Sequence, residues 1–223
     1  IKASKFFEGA KGQIFNFQLE NGTTVLALGL GERSSVSLEV LRCEAANVCK
    51  KILNQHSEVV LKISQFALKE DFERSVSSVI QGFLLSSYKF EKHLSSKSEQ
   101  KLKKVVLEVD SKDSKAAKKA LQESLIICES VNFCRDLVNE PPNILNSETY
   151  AKLVEKDSKK LNRVKVKVLG RQQLKKEKMG MFLSVNAGSA YEPRLVHLTY
   201  TPKKVTKKTK HIVLVGKGLT FDT

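Results

Sequence analysis

The pattern of apolar and polar positions predicts a chain that alternates strands and helices. A short apolar run at residues 24–28 ends at glycines, and apolar residues then recur at helical spacing over residues 38–53. Residues 59–66 and 105–109 have the composition of strands, and residues 72–88 between them predict a helix. This alternation is typical of an α/β fold, in which helices cover a mostly parallel or mixed sheet.

A long amphipathic helix is predicted over residues 116–138. Asn139-Glu140-Pro141-Pro142-Asn143 ends it, because proline cannot donate the helical backbone hydrogen bond. A long helix that stops at a double proline is typical of a bridge between domains, so we place a domain boundary within it. One apolar stripe is expected to face the core over about six turns: Ala117, Leu121, Leu125, Cys128, Val131 and Leu137.

After the double proline, a second α/β arrangement is predicted. Asn146 or Ser147 caps a helix that carries Glu148 in its first turn. The apolar residues that we expect on its inner face are Tyr150, Leu153, Val154 and Leu161.

Three further strands and a short helix are predicted beyond that point. Valine alternates with lysine over residues 164–169, which predicts a strand, and a short helix follows near residues 171–178. Residues 179–185 read as a buried apolar run, and residues 194–200 and 211–215 predict the last two strands. This half has too few helices to cover its strands.

The composition is that of a globular protein. Of 223 residues, 41% are hydrophobic and 28% charged, which excludes global disorder and leaves room for two domains. No run approaches the roughly 18 apolar residues of a membrane span, so we expect no membrane partner and a soluble, cytoplasmic protein. The chain opens on Ile1 rather than methionine, so we expect it to be trimmed, processed or excerpted there.

The four cysteines do not predict a metal site. Cys43, Cys49, Cys128 and Cys134 form no C-x-x-C pair and have no histidine cluster beside them. We expect small buried hydrophobic residues in a reducing compartment.

The net charge of +15 raises the question of an anionic partner. Residues 139–223 hold 18 Lys and Arg against 7 Asp and Glu, so most of the excess lies in the second half. Aromatic residues are not interleaved with the basic runs, as single-strand binders usually require, and the lysine-rich residues 203–210 predict a solvated loop or hairpin. Nucleic-acid binding is therefore not expected to be the main function.

Two glycine motifs suggest phosphate or dinucleotide binding, and neither has the required spacing. After Gly29 and Gly31, Ser34 stands where a dinucleotide fingerprint needs its third glycine, so a strand-to-helix turn is the better interpretation. In Gly216-Lys217-Gly218, a glycine follows the lysine where a phosphate-binding loop needs Ser or Thr.

Several motifs occur together in an order that resembles one family. FCRDLVNEPPN at residues 133–143 is followed by MGMFL at 179–183, by Gly188-Ser189 with Pro193-Arg194-Leu195, and by VGKGLTFDT at 215–223. In this order and spacing they resemble the leucyl aminopeptidase (cytosol aminopeptidase) family. The close resemblance covers roughly residues 125–223, and the final motif is its most specific part.

The resemblance implies a metal-dependent aminopeptidase that removes N-terminal residues, with leucine-type preference, through a two-metal-activated water. In the family, the final motif contributes a lysine and an aspartate to a centre of two divalent metal ions, zinc or manganese. These ligands correspond here to Lys217 and Asp222. The lysine amine ligates only in its neutral form, so metal binding must release its proton. The family's catalytic lysine and arginine lie beyond residue 223.

The resemblance also implies a domain organisation. We expect an N-terminal macro-like α/β domain over residues 1–120, a linker helix over 115–140, and the truncated start of an α/β zinc-peptidase catalytic domain over 141–223. The family acts on peptide substrates as a homo-hexamer, and nucleic acid is a secondary partner at most. We expect this chain to be only part of the enzyme and inactive alone. The alternative is a non-catalytic nucleic-acid-binding or scaffold protein of the same fold.

Overall fold

The computed structural model describes residues 6–68 and 71–220. Its strands form pairs, and helices cover them. The chain divides into two units, residues 1–136 and residues 137–223. The mixture of helices and strands confirms the predicted α/β class.

The first unit contains an antiparallel and a parallel pair of strands. Strand β1 (Ile14–Gln18) runs antiparallel to β2 (Thr24–Leu28), and β3 (Glu58–Lys62) runs parallel to β4 (Lys104–Glu108). The periodicity predicts three of these strands and misses β1. The described strands form separate pairs, whereas the sequence predicted one mostly parallel or mixed sheet.

Three helices of the first unit confirm the apolar periodicity. They are α1 (Leu38–Ile52), α2 (Phe72–Ser86) and α3 (Ser114–Asn139). Ser37 caps α1, because its hydroxyl accepts a hydrogen bond of 3.3 Å from the Val40 amide.

The core of the first unit lies where α1 packs on α2. Leu41, Val48 and Ile52 of α1 are buried there together with Val76 and Phe83 of α2.

Gly82 allows the two helices to approach closely. A Cβ atom at this position would lie 2.4 Å from the carbonyl oxygen of Arg42 on α1. Any other residue would therefore force the two helices apart.

Helix α3 buries a narrower face than its apolar stripe predicted. Leu121 and Leu125 are each 37% exposed. The small residues Ala120 and Ser124 are completely buried in their place. Small side chains let a helix approach its neighbours closely, so they take the inner face while the leucines flank it. The predicted inward position of both leucines is therefore wrong.

The strand predicted over residues 59–66 is shorter than expected. After Lys62 the backbone turns into a 3-10 helix over Ile63–Gln65. Ile63 is fully buried in the core of the unit, so its apolar character reflects packing in a turn rather than a longer strand.

The second unit begins with α4 (Ser147–Ser158) and contains one pair of strands. Of the two predicted caps, Asn146 and Ser147, the structure has Asn146, whose side-chain oxygen accepts hydrogen bonds of 3.1 Å from the amides of Glu148 and Thr149. Strands β5 (Val164–Leu169) and β6 (Leu195–Tyr200) are antiparallel, as the alternating pattern allows. Between them lie two short helices, α5 (Arg171–Lys176) and α6 (Gly180–Val185).

Two burial predictions in this unit are wrong. Leu161 is 58% exposed, because α4 ends at Ser158 and the following turn carries Leu161 away from the inner face of the helix. The run at residues 179–185 forms α6, on which Met181 and Val185 are exposed rather than buried. The lysine-rich residues 203–210 contain turns and no helix or strand, which confirms the predicted loop.

Candidate metal-binding segment

Lys217 lies in an extended, exposed segment near the end of the described chain. Residues 201–220 contain neither helix nor strand, and the Lys217 side chain faces solvent. Open space surrounds both flanking glycines, since a Cβ atom at Gly216 or Gly218 would meet no atom within 4 Å. Asp222, the second predicted ligand, lies outside the described residues.

The strand predicted immediately before Lys217 is absent from the described structure. Residues 211–215 have no strand partner within the described ranges, and their apolar side chains are 80% to 92% exposed from Ile212 to Val215. A β-strand is stabilised by hydrogen bonds to a neighbouring strand and by burial of its side chains. This run has neither, so the apolar sequence alone does not produce a strand.

The described residues do not complete a metal site. Across residues 6–68 and 71–220, no group of three or more His, Cys, Asp or Glu side chains could hold a metal ion. Lys217 would contribute one nitrogen, and a divalent ion requires several further donors. The described residues therefore do not form a two-metal centre by themselves, and we assign no catalytic step to them.

The cysteines confirm part of their prediction. Cys49 and Cys128 are buried, whereas Cys43 and Cys134 are exposed, which corrects the expectation that all four are core residues. Burial raises the pKa of the Cys49 and Cys128 thiols, and a hydrogen bond to Glu39 raises the pKa of Cys43. Raised pKa values keep these three thiols protonated near neutral pH, a poor state for binding metal.

Residues of the FCRDLVNEPPN motif join the end of α3 to the end of α2. Arg135 donates from Nη1 to the carbonyl oxygen of Leu85 at 2.7 Å, and its guanidinium lies 5.4 Å from the centre of the Tyr88 ring. The Tyr88 hydroxyl donates to the Asp136 carboxylate at 2.7 Å. In this structure Arg135 and Asp136 therefore serve to position α3.

A second network holds the segment between α6 and β6. The Arg171 guanidinium, at the start of α5, contacts the carboxylate of Glu192 at 3.0 Å and the amide oxygen of Asn186 at 2.9 Å. Arg194 pairs with Glu148 in the first turn of α4 at 3.1 Å. These pairings were not predicted, because ion pairs between residues 21 to 46 positions apart leave no periodic signal in a sequence.

The Gly29-Leu30-Gly31 motif is a turn that packs against the preceding loop, as the spacing predicted. A Cβ atom at Gly29 would lie 2.1 Å from the carbonyl oxygen of Ala10. The amide of Gly31 donates to the carbonyl oxygen of Gly9 at 2.9 Å. The motif therefore lets two stretches of backbone approach each other.

Within the described ranges, no helix is both long and apolar enough to cross a membrane.

The paired strands, the covering helices and the exposed GKG segment define a protein of the α/β class. Of its two candidate ligands, Lys217 is the one that the structure describes, and it lies outside any regular element. Two sequence profiles of one family match the chain. The catalytic-domain profile of the cytosol aminopeptidase family matches residues 132–223, and the N-terminal-domain profile matches residues 1–97. The chain belongs to the cytosol aminopeptidase family, as its motifs predicted.

Similar proteins of known sequence carry the name of the same family. A probable cytosol aminopeptidase of Persephonella marina is 31% identical over 234 aligned residues, which cover 100% of this chain and 45% of the relative. One from Corynebacterium diphtheriae is 34% identical, over 96% of this chain and 41% of the relative. The chain thus spans less than half the length of these relatives.

Solved structures share the fold. The bottromycin maturation enzyme BotP, in complex with Mn, superposes with a TM-score of 0.76 at 23% identity, over 91% of this chain and 42% of that chain. A tomato leucine aminopeptidase mutant also superposes with a TM-score of 0.76, at 22% identity. The superposition covers 93% of this chain and 42% of the tomato chain. At this level of identity the likeness shows the fold.

Proposed function

We propose that the protein to which this chain belongs is a metal-dependent aminopeptidase that removes residues, with leucine-type preference, from the N-termini of peptides. The observation that supports the proposal is the match of residues 132–223 to the family's catalytic domain, a range that ends on the GKGLTFDT motif. Relatives named as aminopeptidases support it as well. They do not favour the alternative of a non-catalytic nucleic-acid-binding or scaffold protein.

Lys217 and Asp222 are our proposed ligands of a centre of two divalent ions. Lys217 is exposed and open space surrounds its flanking glycines, so its amine is accessible to an ion. Because the side chain is not buried in the described structure, the charge of the metal ions would have to displace its proton. The ions, when bound, would supply the polarising charge that activates water. Zinc and manganese are both compatible with an amine and a carboxylate as donors.

Three further properties belong to the same proposal. We infer a cytoplasmic location, a homo-hexameric assembly, and three segments: a macro-like domain at residues 1–120, a linker helix at 115–140 and the incomplete catalytic domain at 141–223. The family membership supports all three.

Metal binding by the whole protein tests the ligand assignment. Lys217→Ala is expected to lower the metal content by about one ion per subunit and to abolish release of leucine from a leucyl peptide. Lys210→Ala is the matched control, because Lys210 is also an exposed lysine of the segment that lacks regular structure. Unchanged metal content and activity in Lys217→Ala would overturn the assignment.

A second experiment tests the incomplete site. The purified 223-residue chain is expected to release no leucine when zinc or manganese is added, because its described residues lack a complete donor set. Metal-dependent release by this chain alone would contradict that expectation.

A further inference from the structure

A cavity of about 330 Å³ lies within the first unit, among α1, α2, β3, β4 and α3. The proposed peptidase chemistry does not use it. Its wall is largely aliphatic, and all five elements contribute to it. The side chains that define its apolar part include Leu53, Ile80, Phe83, Leu107, Leu121 and Leu125.

Several apolar side chains that line this cavity are partly exposed, although residues of these types are usually buried. Leu121 and Leu125 are each 37% exposed, and Val105 of β4 is 39% exposed. Protein interiors are close-packed, and a void deprives its lining atoms of contact partners. The volume also falls within the roughly 300–1,000 Å³ that small-molecule sites occupy. An apolar group that fills the cavity would restore those contacts.

A second cavity of about 570 Å³ adjoins the first and has a different character. Both cavities are lined by Ser87, Gln100 and Lys103, which therefore lie at the boundary between them. The rest of the second cavity is polar, and its charged residues are Lys89, Lys97, Glu91 and Glu99. The first cavity is therefore apolar, the second is lined by charged groups of both signs, and Lys103 borders both.

Two lysines of the second cavity, Lys89 and Lys103, differ in their hydrogen bonds. Lys89 donates to the Ser98 hydroxyl at 2.6 Å, and Ser98 in turn donates to the Glu91 carboxylate. No described residue forms an ion pair or side-chain hydrogen bond with the Lys103 ammonium. Its backbone is fixed, because the Lys103 amide donates to the Ser57 carbonyl oxygen at 2.8 Å. Lys103 thus presents an available positive charge at the boundary of the apolar cavity.

We propose that the two cavities form one binding site for a small aliphatic carboxylate, with its chain in the apolar cavity and its carboxylate at Lys103. The lining favours an aliphatic chain over a flat ring, because Phe83 is the only aromatic residue among the described residues of a wall made mostly of leucine, isoleucine and valine side chains. The charge of Lys103 favours an anionic head group. The site lies wholly within the first unit.

Octanoate is a suitable probe of the whole protein, and isothermal titration calorimetry is a suitable measurement. We expect saturable binding with one octanoate per subunit, and at least tenfold weaker binding of propionate, which lacks the chain. Octyltrimethylammonium carries a chain of the same length on a cation and is expected to bind at least threefold more weakly than octanoate. Absence of saturable octanoate binding, or equal binding of the cation, would overturn the proposal.

Variants locate the site. Leu125→Phe fills the apolar cavity and is expected to weaken octanoate binding at least tenfold, with Leu121→Phe as a second filling variant if the first unfolds. Lys103→Ala is expected to weaken binding about three- to fivefold, the scale of a partly exposed ion pair. Lys101→Ala is the matched control, because Lys101 is an exposed neighbour that lines neither cavity.

Two results with these variants would contradict the site. One is octanoate binding that persists unchanged in a folded cavity-filling variant. The other is an equal effect of Lys101→Ala and Lys103→Ala. Octanoate binding requires neither metal nor turnover, so its outcome is independent of the aminopeptidase proposal.

Discussion

The Tyr88 hydroxyl and the Asp136 carboxylate lie 2.7 Å apart, although 48 residues separate them in the sequence. Arg135 lies beside this pair and donates to the carbonyl oxygen of Leu85 at 2.7 Å. The end of α3 is thereby joined to the segment that follows α2. The motif that identifies the family thus also has a structural role within the first unit.

Arg135→Ala is expected to destabilise the first unit by about 2 kcal/mol, because it removes a charged hydrogen bond and a cation–π contact. Urea unfolding followed by circular dichroism measures the loss. Lys115→Ala serves as the control, since Lys115 is an exposed residue at the other end of α3. Equal unfolding midpoints for the two variants would show that the Arg135 contacts do not stabilise the fold.

Gly29→Ala is expected to destabilise the chain by about 2 kcal/mol or more, because the added Cβ would meet the Ala10 carbonyl oxygen at 2.1 Å and displace the backbone. Gly188→Ala is the matched control, since a Cβ there meets nothing within 4 Å. Thermal unfolding of both variants compares them directly. A Gly29→Ala variant as stable as Gly188→Ala would contradict the close approach.

Cys49 is expected to make stability fall at alkaline pH. Burial raises the pKa of its thiol above the ordinary value of 9.0, so the folded state holds the proton more tightly than the unfolded state does. The stabilisation is complete below the unfolded pKa and is lost as the pH rises from that value through the folded pKa.

Unfolding free energies measured between pH 7 and pH 10 check this expectation. Cys49→Ala should show a smaller loss of stability over that range than the unsubstituted chain. Cys134→Ala is the control, because Cys134 is exposed. Identical pH profiles for Cys49→Ala and the unsubstituted chain would count against the buried thiol as a source of the loss.

Leu214→Lys is expected to reduce self-association of the 223-residue chain. Leu214 is 92% exposed within an apolar run from Ile212 to Val215, and an unpaired apolar segment of this kind favours strand pairing between copies. Light scattering at increasing concentration measures the effect. Val205→Lys is the control, since Val205 is a single exposed apolar residue within the lysine-rich loop. Equal scattering by both variants would show that the chains associate through a surface other than residues 212–215.

Much of the local structure was predictable from the sequence. Helix α1, the Asn146 cap and the valine–lysine alternation of β5 follow from periodicity and capping, which act between residues close in the chain. The family motif at residues 215–223 identified the proposed ligands Lys217 and Asp222 in the same way, since a motif is read directly from consecutive residues.

Where the prediction failed, the outcome depended on what lies next to a segment in space. Leu125 was expected in the core, but the small residues Ala120 and Ser124 pack more closely and leave it beside a cavity. Residues 211–215 have a strand sequence and no described partner, so they form no strand.

The sequence by itself therefore determined the family and the boundaries of α1, α2, α3 and α5 within a few residues, and it supplied Lys217 as a candidate ligand. Only the tertiary structure decided which apolar residues are buried, which charges pair across long separations, and where Lys103 meets an apolar cavity. The physical reason is that propensity and capping are local, whereas burial and ion pairing are set by neighbours that the chain brings together only on folding.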